Sequence, residues 1–269
     1  MKRFLFLFSL SLLTVSLFAQ VWTEDFNSYP DGTMNAPPKW TSMATDCDDG
    51  GNLNLGPNQS QWGVYAGQFT INDIEGAPCC AGGGGGSQNE WNSEVIDISN
   101  HCDISISVDV TGMGGMECNQ PGTPVTGCQN TTPPDNSHDQ VVLEYSLNGG
   151  GFIQFGYLCG DFGFGNYVSP VFNGNTVQIR IKPANKANAE FYYIDNIVVN
   201  GTTPTIPTFT PIGPLCDSDP PVPLPTVSNE GIAGTWDVGP TFNPAGQGGQ
   251  IVTINFTPNP GVCAAPTPM

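Results

Sequence analysis

The sequence predicts an all-β protein, a two-sheet sandwich followed by a shorter β unit, and three observations carry that prediction. Helical periodicity is nearly absent beyond residue 19. The 34 Gly and 25 Pro would break interior helices repeatedly. Apolar residues recur at every second position in run after run, the spacing of strands with one buried face.

The elements follow in chain order. The opening MKRFLFLFSLSLLTVSLFA has a basic start (Lys2, Arg3), an apolar run from Phe4 to Ala19 and a small residue at its end. That is the layout of a secretory signal peptide over 1–19, and the run is short for a bilayer span. The mature chain is therefore expected to begin at Gln20, with no membrane insertion elsewhere. VWTEDF, WGVYAGQFTI and SEVIDIS read as strands. In DISISVDV, Ile104, Ile106, Val108 and Val110 point one way, and Ser105, Ser107 and Asp109 the other. VVLEYSLNGGGFIQF reads as two strands joined by a glycine-rich hairpin at Asn148–Gly151. TVQIRIK sets Val177, Ile179 and Ile181 against Gln178, Arg180 and Lys182. FYYIDNIVV alternates apolar residues on both faces: Phe191, Tyr193, Ile197 and Val199 on one, Tyr192, Ile194 and Val198 on the other. Asp195 and Asn196 stand at the centre of this doubly apolar strand.

Long loops separate these strands. CCAGGGGGSQ holds five consecutive glycines, whose backbone entropy resists a single conformation. The insertion from Gly112 to His138 is polar and rich in Pro and Gly, and Cys118 and Cys128 are expected to clip it to itself. GDFGFGNY is read as a mobile loop bearing aromatics. After Gly201, TTPTIPTFTPIGP marks a stiff Pro/Thr linker over 202–214. A second unit, 215–269, is bracketed by Cys216 and Cys263 with Trp236 between them. That order is similar to immunoglobulin-like sandwiches, where a disulfide joins the sheets beside a Trp. Its 55 residues are few for seven strands, so a truncated repeat of a longer protein is expected.

Charge and cysteine usage bound the function. The leader holds two of the six Lys and Arg and none of the 24 acids, so the mature chain carries 4 − 24 = −20. Phosphate backbones would be repelled, which disfavours nucleic-acid binding; divalent cations would not be. Nine cysteines in an exported chain read as disulfides, with one thiol left over. Zinc is disfavoured, because no CxxC pair occurs and His101 and His138 lie in different segments.

The stretches VWTEDFNSYPDG, WNSEVIDISN, DISISVDV, LEYSLNGGGF and FYYIDNIVVNG together resemble a β-jelly-roll module of secreted, adhesin-like bacterial proteins exported by type IX secretion. The module is similar in outline to carbohydrate-binding-module and MAM-type sandwiches, and the resemblance covers residues 21–201. The segment PTFTPIGPLCDSDPPVPLPTVSNEGIAGTWDVGP resembles the Cys-containing Ig-like repeats that follow such modules. Attachment to the cell surface through downstream sequence is what the resemblance implies.

A candidate metal site follows. In a jelly roll the first and last strands commonly lie together, which would bring Glu24 and Asp25 near Asp195. An unpaired buried carboxylate needs a cation or several donors. Ca2+, with about six to eight oxygen ligands in flexible geometry, suits such a set, and the resemblance implies a structural calcium there. The alternative is that Asp195 accepts backbone N–H bonds at a bulge. TDCDDGGNLN matches a calcium loop only in part, and a disulfide-anchored polar turn is the better reading.

Catalysis is not expected. No GxSxG or HExxH occurs, and Ser137, His138 and Asp139 are adjacent in sequence and cannot line up as a relay. Binding is the stronger case, because sugar rings stack on aromatic faces while amides, carboxylates and guanidinium groups read hydroxyls. Trp62, Tyr157, Tyr167 and Arg180 are the candidate ligand residues. The expected function is adhesion to, or recognition of, an extracellular glycan or surface protein. The rivals are a structural spacer without ligand and an accessory module of a secreted hydrolase.

Overall fold

The computed structural model describes residues 18–44, 60–74, 89–116, 118, 139–185 and 189–269. Most of the expected leader, the acidic TDCDDGGNLN stretch, the polyglycine loop, Cys128 and His138 lie outside the described residues.

Twelve strands build the first unit: β1 (Phe18–Glu24), β2 (Trp40–Met43), β3 (Gln61–Tyr65), β4 (Gln68–Asn72), β5 (Glu90–Ser93), β6 (Ile96–Asp97), β7 (Cys102–Met113), β8 (Gln140–Leu147), β9 (Phe152–Cys159), β10 (Gly163–Val168), β11 (Thr176–Ala184) and β12 (Phe191–Thr202). They form two antiparallel six-stranded sheets. The first runs β10-β7-β12-β4-β3, with β1 also on β12; the second runs β2-β5-β11-β8-β9, with β6 also on β11. No helix appears among the described residues. The sandwich prediction therefore holds.

The core fills from the alternation read in the sequence. Ile104, Ile106, Val108 and Val110 of β7 are fully buried, facing Val177, Ile179 and Ile181 of β11 and Val141 and Leu143 of β8 within the same cluster. Trp40, Trp62, Trp91, Phe26 and Phe69 close one end, with ring centroids 5.2–6.2 Å apart and mostly edge-to-face. Each such ring removes a large apolar area from water, worth roughly 1.5–3 kcal/mol. The turns obey their residues: Ala66–Gly67, the two-residue loop between β3 and β4, and Asn148–Gly149, which open the four-residue β8–β9 connection, all take positive φ, as tight hairpin turns of matching twist require.

Three local expectations change. The segment GDFGFGNY is not a loop; Gly163 to Val168 pairs with β7 as the edge strand β10. WGVYAGQFTI is a hairpin, β3–β4, rather than one strand. In β12 the alternation breaks at Asn196, which takes φ 44 and shifts the register between Asp195 and Val198. The bulge inserts one residue. Tyr192 and Ile194 therefore share the core with Ile197 and Val199, while Phe191, Tyr193 and Asp195 face outward.

The second unit consists of β13 (Val222–Pro223), β14 (Gly234–Trp236), β15 (Thr241–Phe242), β16 (Asn255–Pro258) and β17 (Thr267–Pro268). Trp236, Phe256, Leu224, Ile232 and Ile254 form its small core. Within the Pro/Thr segment, Phe209 packs 4.7 Å from both Trp236 and Phe256.

The cysteine pairing differs from expectation. Cys263 bonds Cys102 at the start of β7, and Cys216 is an exposed free thiol. The geometry explains why. Thr205 donates its N–H to the Cys263 carbonyl and accepts from Ala265, laying residues 263–265 beside the exit of β12. Thr202 of β12 stands opposite Cys102. Cys118 pairs not within its own insertion but with Cys159, the last residue of β9. Asp161 accepts the N–H groups of Gly115 and Met116 and draws that segment in.

Candidate binding faces

Antiparallel pairing places residues from neighbouring strands in straight rows. On the outer face of the second sheet, one row crosses five strands: Thr41 of β2, Asn92 of β5, Arg180 of β11, Glu144 of β8 and Gln154 of β9. At about 4.8 Å per strand the row spans roughly 19 Å. Lys182, Val142 and Tyr157 form a parallel row on one side of it; Gln178, Ser146 and Phe152 form another on the opposite side. The residues at the next position along each strand, Trp91, Ile181 and Leu143, point into the core.

Arg180 is fixed in place. Its Nε and guanidinium lie 2.8 Å from Glu144 and 3.5 Å from Glu90, and its plane sits 3.6 Å over the Phe152 ring. Lys182 adds a second cation 3.2 Å from Glu144. Charge is thus balanced across the row, and amide and carboxylate edges stand between Tyr157 and Phe152. Burial pushes the Tyr157 hydroxyl above the usual phenol range.

Two of the four candidate ligand residues, Tyr157 and Arg180, fall on this face. The other two do not. Trp62 is fully buried, with its indole N–H on Ser42 Oγ at 2.8 Å. Tyr167 stands opposite Val108 and packs inward, edge-on to Phe162. Both are aromatics that the core claimed first. Asn92, Glu144 and Gln154 were missed. Their polar alternation is visible in the sequence, but their alignment depends on long-range register.

The acids expected to hold calcium separate by strand alternation. Glu24 is 1% exposed, and its carboxylate accepts the Phe26 N–H at 2.8 Å and the Tyr29 hydroxyl at 2.9 Å. Lys39 Nζ lies 3.2 Å away. This acid is already neutralised and hydrogen-bonded. Asp25 points to solvent and caps the Asn27 N–H. Asp195 accepts the Asn196 N–H at 2.7 Å and the Gln68 amide at 3.4 Å. Partial burial raises the Asp195 pKa; those two hydrogen bonds lower it, and the charges of Asp109 and Asp25 raise it further. Glu24 is thus turned into the core, while Asp25 and Asp195 lie towards solvent, near enough for the Asp25 charge to act on Asp195. Among the described residues no three acidic, His or Cys side chains converge.

In the second unit, a groove of about 260 Å3 opens between Ile212, Leu224, Phe242, Ile251 and Met269. Its lining is apolar apart from Asp217 and the amides of Gln247 and Gln250.

No protein family and no curated protein matches the sequence. Among solved structures, the chain is similar to the K3 cleaved adhesin domain of Lys-gingipain from Porphyromonas gingivalis, with 11% identity, TM-score 0.40, and coverage of 68% of this chain and 100% of that one. It is also similar to a family 29 carbohydrate-binding module, with 9% identity, TM-score 0.36, and coverage of 69% and 93%. A carbohydrate-binding module solved with β-1,4-galactotriose gives 11% identity, TM-score 0.32, and coverage of 62% and 90%. Overlaps this loose transfer no ligand to this chain.

Proposed function

We propose that the chain is a non-catalytic, extracellular recognition module that binds a neutral, hydroxyl-rich glycan along the outer face of its second sheet. The observation that carries this reading is the row Thr41–Asn92–Arg180–Glu144–Gln154, flanked by Tyr157 and Phe152. Its hydrogen-bonding groups are spaced one strand apart, and ion pairs hold the central two, Arg180 and Glu144, so those side chains lose little entropy on binding. The mutual pairing of Arg180, Glu90 and Glu144 leaves no free cation there for an acidic sugar. The two disulfides between described cysteines support an oxidising compartment. Export by a leader and surface attachment through a larger adhesin complete the proposal.

Glycan-array binding of residues 20–269 tests it, followed by the variants Gln154→Ala and Tyr157→Ala. Binding to neutral oligosaccharides that falls at least about fivefold in each variant supports the face. Silence across the array, or undiminished binding by both variants, rejects it.

A further inference from the structure

The outer face of the first sheet presents a different chemistry. Phe164, Thr111, Tyr193 and Thr70 form one row across β10, β7, β12 and β4. Phe164 is 70% exposed, and Met113 is also exposed. Phe191 and Tyr193 stack with centroids 5.8 Å apart and planes within 5°. Alongside runs a second row, Asn166, Asp109 and Asp195, in which the two carboxylates stand directly opposite each other. Like charges in that position destabilise a sheet.

No cation of the chain relieves them among the described residues. The three described Lys and Arg side chains are occupied elsewhere: Lys39 by Glu24, Arg180 by Glu90 and Glu144, Lys182 by Glu144. Amide donors substitute instead. Asn166 and Asn196 donate to Asp109 at 2.7 and 3.0 Å, and Gln68 to Asp195 at 3.4 Å. Because the amides are turned onto the acids, they are spent as readers of sugar hydroxyls. What the face offers is negative charge beside flat aromatic rings, on a chain of net charge −18. That combination suits cationic side chains, which gain from both the carboxylates and the ring faces.

We propose that this face docks a basic polypeptide segment, with Arg or Lys side chains seated over Phe164 and the Phe191–Tyr193 stack and their charged ends against Asp109 and Asp195. It goes beyond the glycan reading, from which it is independent in both location and chemistry.

The test is fluorescence anisotropy of a labelled hexa-arginine peptide against residues 20–269, at low salt and at about 0.15 M. Saturable binding that weakens with salt is expected. Phe164→Ala and Tyr193→Ala leave net charge unchanged and should each weaken it about two- to fivefold. The double variant Asp109→Asn/Asp195→Asn should weaken it at least about tenfold, whereas Asp217→Asn/Asp219→Asn, with the same charge change on the second unit, should not. Tyr157→Ala should bind the peptide as the parent does. Equal loss in the two double variants, or unchanged binding in both aromatic variants with parental melting curves, overturns the proposal; so does the absence of binding at low salt.

Discussion

Lys39→Met isolates the ion pair that closes the buried end of β1. The carboxylate of Glu24 is 1% exposed and has three donors, of which Lys39 at 3.2 Å is the charged one. At an effective dielectric of about 20, the direct attraction at this distance is about 5 kcal/mol. Stranding a fully buried partner costs about 3–5 kcal/mol, but the Lys39 side chain is 40% exposed and water screens it. A net loss of about 2 kcal/mol follows. Methionine retains most of the aliphatic stem, so the loss is electrostatic, with the ammonium's place 5.5 Å over the Trp22 ring lost as well. For a domain of this size that corresponds to a Tm lower by roughly 4–8 °C. Thermal unfolding by circular dichroism measures it, with Glu24→Gln/Lys39→Met as the companion. Removing both charges should be less harmful than the sum of the single changes. A Lys39→Met midpoint within about 1 °C of the parent would refute the reasoning.

Other outcomes follow from the same structure. The folded-state pKa of Asp195 is raised by burial, so the folded state binds the proton more readily than the unfolded chain. Its ionisation therefore costs stability as pH rises through the folded value, and no cost remains below the unfolded value of about 3.9. Asp195→Asn should accordingly melt higher than the parent at pH 7, and the gap should close towards pH 4; a gap that widens on acidification refutes the sign. Glu230, held by the Thr208 N–H and hydroxyl and by Ser228 Oγ, should titrate with a midpoint of about 2 by NMR, and a midpoint near 4 would mean those bonds are absent in solution. Because Glu24 is satisfied by Lys39, Tyr29 and Phe26, chelator should leave the melting midpoint unchanged; a calcium-dependent rise would restore an ion to the terminal strands. Cys102→Ser opens a crosslink spanning 161 residues and should destabilise by about 3–5 kcal/mol in denaturant titration, with a loss under 1 kcal/mol counting against the bridge.

The sequence made the sheets legible wherever one face was simply apolar. β7 and β11 alternate without interruption, and their buried residues are those the pattern named. β10 escaped notice because Gly163 and Gly165 dilute its alternation, while its strand character comes from pairing with β7. The faces of β12 were misassigned beyond Asp195 because a bulge depends on one positive φ at Asn196 that no periodicity announces. Trp62 and Tyr167 illustrate the matching difficulty for the site: an aromatic side chain looks the same in sequence whether it fills a core or greets a ligand. Arg180 was legible because a cation on an acidic chain is scarce, but its clamp by Glu90 and Glu144 required the register of three strands. Cysteine partners were hidden for the same reason. Spacing along the chain favoured Cys118 with Cys128 and Cys216 with Cys263, whereas proximity in space is set by where β7, β9 and β12 end.

The Cys102–Cys263 bridge also decides how the molecule bears mechanical tension. If the two ends of the chain are pulled apart, the load travels along the stretch before Cys102, crosses the sulfur bridge and leaves after Cys263. The strands between, including β8, β9 and β11 with Glu144, Gln154 and Arg180, hang in a closed covalent loop that the pull bypasses, whereas β2 and β5 with Thr41 and Asn92 lie on the loaded side. Under shear the β8–β9–β11 part of that surface would stay unstretched while its β2–β5 edge takes the load.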